Sequence, residues 1–250
     1  MLYGELVSGL PVYFGSHGGA KLWREANLIA MRSAKETAQL AEWQGDFGKN
    51  YTDRNSLTIE QVDALWMKNF GMSRTELNRR FLKDVPKDAR ILEVGCNIAN
   101  QLLLLQELGY TELHGVEVQS YAIGVARSRT KNINLVQSSA FDLPYKDGFF
   151  DLVFTSGVLI HIAPADLPTA LDEIHRCART YIMGAEYYAP TVTEVNYRER
   201  QSLLWKMDYA RQYLSRFGDL ELVQEQQLPY LENENVDSMF LLRRTHEFRG

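Results

Sequence analysis

The sequence predicts an α/β fold, a doubly wound parallel sheet, and three observations predict it. Short apolar runs alternate with helical patterns from residue 90 onward. The first run, Arg90-Ile91-Leu92-Glu93-Val94-Gly95, ends in an acid and a glycine and leads straight into a helix. The second, His114-Gly115-Val116-Glu117-Val118, also closes on an acid, 117 − 93 = 24 positions later. A strand feeding a tight turn and a helix places free N–H groups and a positive dipole end at the carboxyl edge of a sheet, where ligands bind.

The other elements follow in order. Asn134–Gln137 reads as the third strand, Phe149–Ser156 as the fourth and Tyr181–Glu186 as the fifth. Helical patterns run over 98–108, closed by Gly109, then 119–130, 164–177 and 199–216. Such alternation calls for right-handed crossovers with helices on both faces. Leu220–Leu228 and Val236–Arg243, separated by the polar Glu232-Asn233-Glu234-Asn235, suggest a closing antiparallel hairpin and so a seven-stranded, Rossmann-like sheet. Ahead of it lies an N-terminal helical extension. Residues 1–17 read as a glycine-containing leader, 20–43 as an amphipathic helix, and 58–70 and 73–82 as cover helices, with Ser73-x-x-Glu76 as a capping box. The domain reading is 1–57 for the extension and a lid segment, and 58–250 for the catalytic domain.

Composition narrows the function. A formal charge of −5 argues against a phosphate backbone as partner, so small-molecule acceptors are favoured and nucleic acid is not. Two cysteines give no disulfide framework, no charged-then-apolar leader opens the chain, and apolar runs are too short to span a bilayer. A cytoplasmic protein without membrane attachment is the expectation, with a homodimer as one arrangement for the first helix. No His, Cys, Asp and Glu cluster has metal-ligand spacing, so no metal is expected.

The turn after the first strand has Gly95, then Asn97 and Asn100 where a dinucleotide fingerprint has its second and third glycines. The second glycine lets a pyrophosphate approach the backbone, so a cofactor without phosphates fits better. Glu117 stands where a carboxylate can accept both ribose hydroxyls. Glu-x-Gly, an acid closing the next strand, Leu143-Pro144 after the third and Phe150-Asp151-Leu152-Val153 at the fourth together resemble the class I S-adenosylmethionine-dependent methyltransferases. A narrower set is similar to the methyltransferases associated with pseudaminic acid biosynthesis: Gln44-Gly45-Asp46-Phe47-Gly48 with Tyr51, Arg54 and Asn55, then Tyr187-x-x-Pro190, Asn196-Tyr197-Arg198 and Leu204–Tyr209.

The resemblance implies S-adenosylmethionine as cofactor. Gly95 would admit its methionyl end, Glu93 orient its ammonium, and Val118 pack on the adenine, with Ser139, Ala140 and Phe141 also facing it. Asn97 in the turn and Ser156 at the end of the fourth strand complete the set. Tyr51 and Arg54 would fold over the site and clamp the cofactor carboxylate, with Gly45 and Gly48 permitting a mobile turn. His161, in the loop after the fourth strand, is the candidate general base and Tyr187 a second catalytic candidate. Tyr188, Tyr197, Arg198 and Lys206 suit an anionic acceptor such as an acidic or nucleotide-linked sugar. Thr155-Ser156-Gly157-Val158 stands where amino-methylating DNA enzymes carry an Asn/Asp-Pro-Pro-aromatic motif, which disfavours them. The rival readings are a nicotinamide-dependent oxidoreductase and a cofactor-binding assembly protein without catalysis. Methyl transfer to an oxygen or nitrogen of a small polar acceptor is the reading the sequence favours.

Overall fold

The computed structural model describes residues 35–197 and 201–245. Residues 37–250 form one compact unit and residues 1–36 another, of which only Lys35 and Glu36 are described. Expectations for residues 1–34, including the leader and most of the first helix, lie outside the described residues.

Within the larger unit the order is α1 (Ala38–Gln44), α2 (Asp46–Arg54), α3 (Ile59–Phe70), α4 (Arg74–Phe81), β1 (Arg90–Val94), α5 (Asn100–Glu107), β2 (Glu112–Glu117), α6 (Ser120–Arg129), β3 (Ile133–Gln137), β4 (Phe150–Ser156), a 3-10 turn (Leu159–His161), α7 (Leu167–Cys177), β5 (Ala178–Tyr187), β6 (Thr193–Glu194), β7 (Trp205–Lys206), α8 (Tyr209–Arg216), β8 (Leu220–Pro229) and β9 (Val236–Arg244). The seven-stranded sheet has the order β3-β2-β1-β4-β5-β9-β8. β1 to β5 pair in parallel, and β9, between β5 and β8, is antiparallel to both. Order reverses between β2-β1 and β4, so the crevice above the carboxyl ends of β1 and β4 is the switch point where α/β sheets bind ligands.

Two apolar layers sandwich the sheet. On one side Leu77, Phe81, Leu102, Leu105, Ile123 and Ala126 of α4, α5 and α6 pack on Ile91, Leu113 and Leu152. On the other, Leu171, Ile174, Tyr209 and Tyr213 of α7 and α8 pack on Leu92, Val153 and Ile182. Each fully buried side chain of this size contributes roughly 1.5–3 kcal/mol. Helix starts are set by polar caps. Thr58 accepts the Gln61 N–H while Gln61 reaches back to the Thr58 N–H, a complete capping box. Ser73 accepts the Glu76 N–H.

Three expectations change. The helix expected over 20–43 is not continuous: Lys35, Glu36 and Thr37 are not helical, and Thr37 caps a separate short helix by accepting the Leu40 N–H. The helix expected over 199–216 begins only at Tyr209, because the Asp208 carboxylate caps it by accepting the Arg211 N–H. Leu203, Leu204, Trp205 and Met207 are all buried, and a helical period cannot turn such a run inward; Trp205-Lys206 instead pairs with Thr193-Glu194. The lid segment is helix rather than mobile turn. Gly48 lies inside α2, where an added Cβ would stand 1.8 Å from the Trp43 carbonyl oxygen, so this glycine serves close approach and not flexibility.

Candidate active site

The turn after β1 is held by backbone bonds. Gly95 and Cys96 N–H donate to the Val116 carbonyl, at 2.8 and 2.9 Å, tying the turn to β2. Gly95 has φ +74°, Asn97 +45° and Ala99 +66°, so three residues of the turn lie in the left-handed region that L side chains seldom occupy. Such a turn persists only where its surroundings hold it, and strained backbone of this kind clusters at ligand sites. Val158 closes against Gly95 from the loop after β4.

Glu117 ends β2, and each of its oxygens accepts one N–H at 2.9 Å, from Asn97 and Gln119. A carboxylate has about four acceptor positions, so two remain for a ligand diol. Burial raises its pKa while those backbone donors oppose the rise. Glu93 is more deeply buried; burial pushes its pKa well up, Arg74 pulls it down, and its Oε2 has no hydrogen-bond partner among the described residues.

These groups face a cavity of about 300 Å³. Its floor includes Glu93, Gly95, Asn97 and Ser156, one side Glu117, Val118, Ser139, Ala140 and Phe141, and its roof Trp43, Gly48 and Tyr51 from α1 and α2. Among the described residues that line it there is no lysine or arginine. Burial lifts the Tyr51 phenol to about 12, so it is neutral and able to donate.

The roof is latched to the core. The Gln119 side-chain amide donates to the carbonyls of Trp43, Gln44 and Gly45 at 3.2, 2.8 and 3.0 Å, binding the end of α1. Asn97 Nδ2 donates to the Thr52 hydroxyl at 2.9 Å and Asn100 Nδ2 to the Asn55 carbonyl at 3.1 Å. Residues of the turn after β1 and the start of α5 therefore also hold the roof.

At the far end His161 lines the cavity. Its Nδ1 lies 2.7 Å from the Leu203 carbonyl. A carbonyl only accepts, so Nδ1 carries the proton and Nε2 keeps its lone pair. Burial lowers this imidazole to about 4, so it stays neutral at physiological pH. Trp43 packs on it at 4.5 Å and Tyr197 at 5.4 Å between ring centroids. The loop bearing His161 is fixed from below by Glu186, whose carboxylate accepts the Val158 N–H at 3.0 Å and the Ile160 N–H at 3.4 Å.

Of the sequence candidates, the cavity brings together Tyr51, Glu93, Gly95, Asn97, Glu117, Val118, Ser139, Ala140, Phe141, Ser156 and His161. It does not include several others. Arg54, in the last turn of α2, is exposed and off the cavity wall. Tyr187 is also off the wall; its ring packs at 6.0 Å from Tyr230, with Lys206 Nζ 5.3 Å above it. Neighbouring residues on a strand face opposite ways, and on β5 Glu186 is the one turned to the loop beneath His161. Lys206 bonds to the Asn235 side-chain carbonyl, and its charge is engaged away from the cavity. Tyr188 joins β9 through its N–H to the Val236 carbonyl, and the Tyr197 ring packs near those of His161 and Phe47 without lining the cavity. Arg198 lies outside the described residues. Sequence reasoning missed Trp43, Gln119 and Glu186; Gln119 alone had a signal, two positions after Glu117.

Comparisons with known proteins bear on the domain and its fold. Residues 92–181 match a family model described as a methyltransferase domain. An uncharacterized methyltransferase of Synechocystis sp. is 32% identical over 87 residues, 35% of this chain and 41% of that protein. The demethylmenaquinone methyltransferase of Staphylococcus carnosus is 30% identical over 132 residues, 51% of this chain and 50% of that protein. The chain thus spans about half or less of the length of these relatives. Among solved structures, the 1,6-didemethyltoxoflavin-N1-methyltransferase of Burkholderia thailandensis, with 1,6-didemethyltoxoflavin and S-adenosylhomocysteine bound, superposes with a TM-score of 0.64 at 16% identity, covering 86% of this chain and 93% of that one. The fold is the seven-stranded sheet of class I methyltransferases, and S-adenosylmethionine is the cofactor that this domain class uses. No helix among the described residues is long and apolar enough to cross a membrane, and no described His, Cys, Asp and Glu group could hold a metal.

Proposed function

We propose that this chain transfers the sulfonium methyl group of S-adenosylmethionine to an oxygen or nitrogen of a small, planar, largely apolar acceptor. The observation that carries this reading is the charge of the cavity, which has two buried acids, Glu93 and Glu117, and no described lysine or arginine on its wall. A ligand with sulfonium and ammonium groups suits such a wall; a pyrophosphate would meet two carboxylates and no cation, which counts against a nicotinamide cofactor.

When bound, S-adenosylmethionine supplies a methyl group already activated on sulfur. The residues' task is then to position the groups, exclude water and handle one proton. Glu117 accepts the ribose hydroxyls through its two remaining acceptor positions. Trp43 and Tyr51 cover the cavity, and with Val62, Leu65, Trp66 and Ile162 they offer an apolar and aromatic surface to a flat acceptor. His161 Nε2 accepts the hydrogen bond of the attacking hydroxyl or amine. That proton becomes strongly acidic as the new bond forms, so a weak neutral base is sufficient.

The acidic sugar suggested by the resemblance to the pseudaminic acid-associated methyltransferases would want a cation on the wall, and Lys206 is engaged elsewhere. The test is incubation with methyl-labelled S-adenosylmethionine and two acceptor panels, phenols and aromatic amines against nucleotide-linked acidic sugars. Label transferred to the first panel is expected. Transfer confined to the second would overturn the acceptor assignment, and binding of NADH without S-adenosylhomocysteine would overturn the enzyme class.

A further inference from the structure

The His161 ring packs against Trp43 and Tyr197, and these contacts restrict how it can turn. Packing does not decide which ring nitrogen carries the proton. A neutral imidazole has one donor and one acceptor nitrogen, and the partner of each sets the tautomer. For Nδ1 that partner is the Leu203 carbonyl, at 2.7 Å. Whatever holds this carbonyl in place therefore decides whether Nε2 is an acceptor or a donor.

The carbonyl lies just before β7, between two fixed residues. On one side the Leu204 carbonyl accepts the Val195 N–H at 2.9 Å, beside the pairing of Glu194 with Trp205. On the other side is Ser202, whose φ of +57° lies in the left-handed region that a residue with a side chain keeps only where its surroundings fix it. Three hydrogen bonds do so. Glu194 Oε1 accepts the Ser202 N–H at 2.6 Å and its hydroxyl at 3.1 Å, and the Gln39 side-chain amide of α1 donates to the Ser202 carbonyl at 3.0 Å. Leu203 between them is anchored by a buried side chain.

We propose that Glu194 is a positioning residue for His161: through Ser202 it holds the Leu203 carbonyl on Nδ1 and so keeps the lone pair on Nε2, with Gln39 as its second support. The inference rests on the reading of His161 as the group that takes the acceptor's proton. Only this tautomer can receive that proton on Nε2, and the Leu203 carbonyl then faces the Nδ1–H of the imidazolium that results. Glu194 is exposed and off the cavity wall, so its influence on the reaction passes through the β6–β7 hairpin and not through contact with a ligand.

The test is nitrogen NMR of the full chain labelled at histidine, which separates protonated from unprotonated ring nitrogens, with His161→Gln identifying the signals of His161. Wild type, Glu194→Ala, Glu194→Gln and Gln39→Ala are compared, with methyl-label transfer to phenols and S-adenosylhomocysteine affinity measured alongside. Wild type should show the proton on Nδ1. In Glu194→Ala the two nitrogen signals should draw together as the tautomers mix, and label transfer should fall several-fold, less than the roughly 10²–10⁴ that a positioned base supplies, with S-adenosylhomocysteine affinity unchanged. Glu194→Gln keeps an acceptor oxygen and should stay near wild type. Gln39→Ala should move the signals in the same direction by less, and it carries the test if Glu194→Ala does not fold. A proton on Nε2 in wild type overturns the proposal, as does a proton that stays on Nδ1 in every folded variant, whether or not transfer slows. Label transfer left unchanged in His161→Gln overturns the base reading instead, and the NMR signals still decide whether Glu194 sets the tautomer.

Discussion

Val158 occupies the space beside Gly95 that any larger residue would need: a Cβ on Gly95 would lie 2.6 Å from Val158 Cγ2. The loop after β4 and the turn after β1 are thus fitted to each other, and both face the cavity. Gly95→Ala combines this clash with a φ of +74°, a strain of roughly 1–3 kcal/mol. We expect a lower melting temperature and at least tenfold weaker binding of S-adenosylhomocysteine. Adding Val158→Ala should recover only part of both, because space returns and backbone strain does not.

The roof over the cavity should loosen when its latch is cut. Gln119→Ala removes two N–H donors shared among three carbonyls, each hydrogen bond contributing about 0.5–1.5 kcal/mol. Hydrogen exchange around Trp43–Tyr51 should speed up while exchange in β1 and β4 stays slow, and S-adenosylhomocysteine should bind several-fold more weakly. Unchanged exchange would mean that the Asn97–Thr52 and Asn100–Asn55 bonds hold the roof by themselves.

Stability should carry a pH signature from Glu186. Burial raises its carboxyl from the ordinary 4.5 to about 7, so between these values the folded protein keeps a proton that the unfolded chain releases. The contribution of this group to stability is complete below about 4.5 and is lost as pH rises through about 7. Glu186→Gln has no such proton, so its melting temperature relative to wild type should rise with pH across that window. A constant difference between the two curves would contradict the shift.

His161→Gln should lower kcat by a factor of roughly 10²–10⁴, the range for a positioned base, with little change in S-adenosylhomocysteine affinity. Because the ring is held near 4, wild-type kcat should show no histidine inflection between pH 5 and 8.

The order of strands, their polarity and the Glu93, Gly95 and Glu117 positions were legible because each depends on local pattern: apolar runs, a glycine turn and an acid at a strand end. The closing hairpin was legible for the same reason. The acceptor side was not. Tyr187 and Lys206 sit in a suggestive polar and aromatic stretch, yet strand alternation and the Asn235 contact turn them elsewhere. Glu186 lies on β5, well after His161 in the chain, and only the folded sheet brings its carboxylate beneath the loop that bears His161. Gly48 was misread because a glycine required for close contact looks, in sequence, like one required for motion.

The measurement that tests the central claim most directly is a calorimetric titration of S-adenosylhomocysteine into wild type and Glu117→Ala. The predicted result is one site per chain in wild type and a loss of about 1–3 kcal/mol in the variant, as expected when a charged hydrogen-bond acceptor is removed. No binding to wild type, or equal binding by both proteins, would contradict a cofactor held by Glu117 at the end of β2.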